Sequence, residues 1–90
     1  RNRYGEIDII GEDDGIIAFI EVKARESLEF GLPCEAVDKR KQRQIARMAL
    51  LYIARNSLED RACRFDVVEV VLNSGSVKYM RLIKDAFQAD

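Results

Sequence analysis

The chain has 90 residues, a net charge of −1, 48% hydrophobic and 34% charged content, and no histidine or tryptophan. That composition predicts a single small soluble domain spanning residues 1–90, with a modest core. It excludes Ser-His and Cys-His catalysis and the usual zinc sites within one chain. No apolar run reaches membrane-spanning length, and Arg1-Asn2-Arg3 does not open a signal peptide.

Tyr4 to Gly11 and Ile16 to Ala24 read as two strands joined at Asp14-Gly15. Asp-Gly between apolar runs is a strong hairpin signal, because a type I′ turn needs positive φ at both central residues. With that turn Ile10 faces Phe19, Asp8 faces Glu21 and Glu6 faces Lys23. Alternation then puts Glu6, Asp8, Glu21 and Lys23 on one sheet face. Two carboxylates opposite one another repel unless a cation lies between them, and a slip of one residue on one strand would dissolve the cluster. Both strands carry apolar residues on both faces, which predicts cover on both sides in a layered α/β structure.

Residues 25–32 read as a loop. Pro33 is placed as a first-turn residue of a long helix running to about Asn56. Ile45, Met48, Ala49, Tyr52 and Ile53 recur at helical spacing and should pack on the sheet. Lys39, Arg40, Arg43 and Arg47 fall on the outer or flanking surface, with Lys41 nearer the boundary. Phe65 to Leu72 is a third strand rich in β-branched residues. Asn73-Ser74-Gly75-Ser76 is a turn, Val77 to Ile83 a fourth strand, and Lys84 to Asp90 a short tail of helical character. The order predicts a mixed sheet with helix cover and a right-handed crossover.

Charge is unevenly placed. Residues 1–30 hold four basic and eight acidic side chains, whereas residues 31–64 hold eight basic and four acidic. Such a division suits a metal site beside a polyanion-binding surface, and equally suits solvated helices. Cys34 and Cys63 lack metal-ligand spacing and are expected as reduced thiols of a cytoplasmic protein.

Magnesium prefers oxygen ligands, usually one or two carboxylates together with water and phosphate oxygens. Asp8 and Glu21 are the candidate ligands, with the backbone carbonyl of Val22 within reach. Lys23 is suited to stabilising developing negative charge or positioning a water. Glu6 is an additional ligand, a partner for Lys23, or a cross-strand salt bridge. The competing reading makes all four ordinary ion pairs. Lys39, Arg40, Lys41, Arg43 and Arg47 could track a phosphate backbone, or be no more than a solvated helix surface.

Taken together, Gly5-Glu6-Ile7-Asp8, Phe19-Ile20-Glu21-Val22-Lys23-Ala24-Arg25, the basic helix opening and Arg64-Phe65-Asp66-Val67-Val68 resemble the YraN-like bacterial family of predicted endonucleases. That family lies within the PD-(D/E)XK, or restriction-endonuclease-like, superfamily. The resemblance covers nearly the whole chain. It implies the αβββαβ core shared with Holliday-junction resolvases, with Asp8, Glu21 and Lys23 as the catalytic set. It further implies a magnesium- or manganese-dependent endonuclease acting on DNA, including branched or recombination intermediates, and working as a homodimer. The superfamily's helix before the first core strand is expected to be missing from this chain. Two other readings stand beside it: a non-catalytic nucleic-acid-binding module, and a structural or protein-interaction subunit.

Overall fold

The computed structural model describes residues 7–27 and 37–88. They form β1 (Ile9–Asp13), β2 (Ile16–Glu26), α1 (Lys39–Arg55), β3 (Cys63–Asn73) and β4 (Ser76–Phe87). The strands make one mixed sheet in the order β1-β2-β3-β4. The two hairpins are antiparallel, and β2 and β3, joined through α1, run parallel.

Both hairpins turn for the same reason. Asp14 and Gly15 have φ of 54° and 85°, and Ser74 and Gly75 have 52° and 85°. These are the left-handed pairs a type I′ turn requires, matched to the twist of the strands. The first turn sets Ile10 opposite Phe19 and Asp13 opposite Ile16, as the Asp14-Gly15 register predicts. The strand itself occupies Ile9–Asp13 rather than Tyr4 to Gly11; residues 1–6 lie outside those described.

Because parallel partners share a face, Ile17, Phe19, Glu21, Lys23 and Arg25 of β2 line up with Cys63, Phe65, Val67, Glu69 and Val71 of β3. The apolar end of this face is the core, where Ile17, Phe19, Phe65 and Val67 are buried with Val37, Ile45 and Ala49. Tyr52 meets Phe19 edge-on at 5.9 Å, and Phe19, Phe65 and Phe87 stack in a row across three strands at 5.7 and 5.1 Å. Met48, expected in this packing, is only half-buried and lines a shallow surface groove with Leu50 and Leu51. Among the described residues α1 is the only helix, so the expected two-sided cover is not met: Ile9 and Met80, on the other face, are 48% and 63% exposed.

The helix starts later than Pro33. Its N-cap is Asp38, whose Oδ1 accepts the Lys41 N–H at 2.9 Å. A carboxylate at that position satisfies an orphan donor; Pro33 itself lies outside the described residues. The C-terminus closes as a Schellman motif, with Leu58 N–H on the Ile53 carbonyl and Ser57 N–H on the Ala54 carbonyl. Ser57 therefore holds φ at 55° without being glycine. Ser57→Gly is expected to stabilise the fold by roughly 0.5–1 kcal/mol, read as a higher urea midpoint at unchanged slope.

Of the segment expected as a helical tail, residues 89–90 lie outside those described, and Lys84 to Phe87 is strand, since β4 continues to Phe87. A register shift between Phe65/Val67 and Phe87/Ile83 accommodates it, with Asp85 at φ 53°. The fully buried Asp66 carboxylate accepts the Asp85 N–H at 2.9 Å and the Arg64 Nε at 3.0 Å. Arg64 also reaches Asp13 at 3.0 Å. The hydrogen bond from Arg64, followed by that from Lys84, holds the Asp13 carboxyl below the usual carboxylate range. Arg64 and Asp66 form a structural ion pair.

Candidate active site

Polar side chains enter the core face where its apolar row ends. Glu21 follows Phe19 on that face of β2 and is 6% exposed. Next to it the β1 ladder stops at Ile9, and the Asp8 carboxylate substitutes for a backbone acceptor: its Oδ2 takes the Val22 N–H at 2.9 Å. A strand residue presents its N–H and carbonyl to the same neighbour, so the Val22 carbonyl lies at the edge where Asp8 sits. The Asp14-Gly15 turn thus brings Asp8, Glu21 and Val22 together. Glu6, the proposed fourth acid, lies outside the described residues.

Two lysines converge on Glu21. Lys23 Nζ lies 3.9 Å and Lys41 Nζ 3.7 Å from its Oε2. Lys41 arrives from the first turn of α1, so it belongs to the site as much as to the basic helix surface. Even so, the Glu21 carboxyl is pushed above its ordinary value. Burial is the main cause; the Asp8 charge and a hydrogen bond with Asp8 add to it, and Lys41 and Lys23 pull the other way.

The chemistry of the donors is what bears on a divalent cation. Glu21 is buried, and Asp8 lies close enough to share a hydrogen bond with it. Two carboxyls and a backbone carbonyl are hard oxygen donors of the kind magnesium or manganese takes, for which one or two carboxylates suffice. Among the described residues no group of three or more His, Cys, Asp or Glu side chains stands ready to hold a metal. The candidate oxygen donors number two carboxylates, Asp8 and Glu21, with the Val22 carbonyl beside them.

The basic residues divide between two places. Arg40 and Lys41 line an open polar cleft with Lys23, Asp38 and Gln44, beside the carboxylates. Lys39, Arg43 and Arg47 border a second groove with Ala46, Leu50 and Gln88. The first turn of α1 has no acidic residue and three basic ones, Lys39, Arg40 and Lys41. Cations there oppose the helix dipole, and the Asp38 N-cap carboxylate offsets part of that cost.

Sequence reasoning missed Glu69, the most buried acid on this face at 1% exposed. It lies beside Lys23 in register and accepts Arg25 Nε at 2.9 Å and Arg81 Nε at 3.0 Å. Its signal was visible: Val68-Glu69-Val70 sets an acid inside an apolar strand, as Ile20-Glu21-Val22 does. Cys63 is free and exposed; Cys34 lies outside the described residues.

The described residues form a mixed four-strand sheet with one crossover helix on the acid-bearing face, consistent with a fold of the restriction-endonuclease-like class. Comparison with known sequences narrows this. The model of the family described as "Uncharacterised protein family UPF0102" matches residues 1–70. A UPF0102 protein of Symbiobacterium thermophilum is 49% identical over 89 residues, covering 99% of this chain and 75% of the relative. Another, of Trichlorobacter lovleyi, is 49% identical over 88 residues, covering 97% of this chain and 69% of the relative. The chain belongs to UPF0102, the YraN-like family. Among the described residues no helix is long and apolar enough to cross a membrane.

Proposed function

We propose that this chain is a magnesium-dependent endonuclease domain that hydrolyses phosphodiester bonds in DNA, with branched or recombination intermediates as substrates. The observation that carries the reading is the meeting of Asp8 with the buried Glu21, two lysines on the latter and a basic cleft alongside. Asp8, Glu21 and the Val22 carbonyl would hold the cation. When bound, it would supply charge to polarise the phosphate and a water acidic enough to attack. Lys23 stabilises the negative charge that develops on the phosphate or holds the attacking water. Lys41 holds Glu21, and Arg40 and Lys41 receive the backbone at the cleft. Lys39, Arg43 and Arg47 extend the basic surface along α1. The site of action would be the cytoplasm, and a homodimer would set two such centres against two strands.

The test is cleavage of linear, single-stranded, flapped and four-way DNA in magnesium, comparing the protein with Lys23→Ala. We expect the variant to lose activity about a hundredfold or more. No cleavage of any substrate, or equal cleavage by the variant, would sink the reading.

The second reading is a non-catalytic nucleic-acid-binding module, favoured by the pairing of both lysines with Glu21. It predicts DNA binding that survives Asp8→Asn and is indifferent to magnesium.

A further inference from the structure

Two guanidiniums from different strands close on the buried Glu69 carboxylate, Arg25 Nε on Oε2 at 2.9 Å and Arg81 Nε on Oε1 at 3.0 Å. Arg81 stands on the edge strand β4, and its side chain remains 54% exposed while its Nε is fixed on Glu69 Oε1. Fixing Nε leaves the outer two nitrogens of the fork as donors for an outside acceptor. A guanidinium anchored in this way is pre-organised for a phosphate at little cost in side-chain entropy.

The placement matters as much as the charge. Lys23, Glu69 and Arg81 are consecutive partners across β2, β3 and β4 and lie on one face. With strands about 4.8 Å apart, Arg81 stands roughly 10 Å across the sheet from Lys23. A nucleic-acid strand advances about 3.4 Å per nucleotide along a duplex axis, so that span reaches a phosphate a few nucleotides from one held beside Glu21. Two guanidiniums, those of Arg25 and Arg81, share the single Glu69 charge.

We propose that Arg81, seated with Arg25 on the buried Glu69 carboxylate, forms a second phosphate site that grips the nucleic-acid backbone a few nucleotides from the Asp8–Glu21 centre. Glu69 is the positioning residue and Arg81 the contact. The assignment rests on the nuclease reading for the class of its ligand, but not on cleavage taking place.

The test measures DNA affinity against salt with magnesium removed, for the natural protein, Arg81→Ala, and Arg55→Ala on the last turn of α1 as control. Arg81→Ala should reduce the slope of log K against log salt by about 1, the loss of one phosphate contact. Its thermal melt should match the natural protein closely enough to show that it is folded, and Arg55→Ala should leave the slope unchanged. A full slope in folded Arg81→Ala overturns the inference, as does absence of salt-dependent DNA binding by the natural protein. Inorganic phosphate, followed through the Arg81 Nε–H resonance, separates the two sources of the same chemistry: a response to phosphate with none to DNA also overturns it. DNA binding with the expected slope change but no cleavage in magnesium leaves the site standing and removes the nuclease reading alone.

Discussion

On the proposed nuclease function, Glu21→Gln is expected to cost cleavage roughly 10²–10³-fold and yet to melt higher than the natural protein at neutral pH. The amide keeps the shape but gives up the charge that burial beside Asp8 disfavours and that Lys41 and Lys23 only partly offset. The sign follows from linkage. Because the Glu21 carboxyl sits above its unfolded value, the folded state holds that proton more tightly than the unfolded chain. The resulting stability is complete below the ordinary carboxylate range and fades as pH rises through the raised folded value. The natural protein should therefore lose stability across that window, while the variant, with nothing to titrate there, should not. Thermal melts of both proteins from acid to neutral pH check this: the difference should open as pH rises. A constant difference, or a less stable variant at neutral pH, would show that the two lysines more than neutralise the site.

Asp66→Ala should destabilise the fold by about 3–5 kcal/mol. A 90-residue domain is typically stable by only ~5–14 kcal/mol. The buried carboxylate is shared between the Arg64 guanidinium and the backbone N–H of Asp85, which sits in the left-handed region at the β4 irregularity. Its removal leaves a guanidinium short of a partner and an amide without its acceptor, and releases the strand path that carries Phe87 into the aromatic row. Asp66→Asn keeps an oxygen for the amide while losing the charge, so it should fall between the two. Urea unfolding of the three proteins, with Phe87 contacts followed by NMR, checks the order.

How far the residues disclosed this structure depends on the period of the signal. Asp14-Gly15 and Ser74-Gly75 are local chemistry with few solutions, and both hairpins follow from them. The first also accounts for Asp8 meeting Glu21, since register is inherited from the turn. The long helix was legible from its apolar spacing, but its start was not: Asp38 is an N-cap only because its side chain finds the Lys41 amide, whereas proline merely tolerates a first turn. The end of β4 was hidden because the irregularity at Asp85 breaks the two-residue alternation by which Lys84 to Phe87 would have read as strand. Glu69 and Arg81 are twelve residues apart in the chain, and nothing local joins them. Their meeting required the β3–β4 pairing, which the third and fourth strands suggested without a stated register.

The Asp8–Val22 hydrogen bond ties two roles to one atom. Asp8 Oδ2 terminates the β1–β2 ladder in place of a peptide carbonyl, so whatever competes for that oxygen must loosen a backbone amide as it does so. The Val22 N–H is thereby a natural reporter: its exchange with solvent should quicken when the carboxylate turns toward a cation. Asp8→Ala, by contrast, would fray a strand end as well as remove a ligand, and loss of function in it would confound chemistry with architecture.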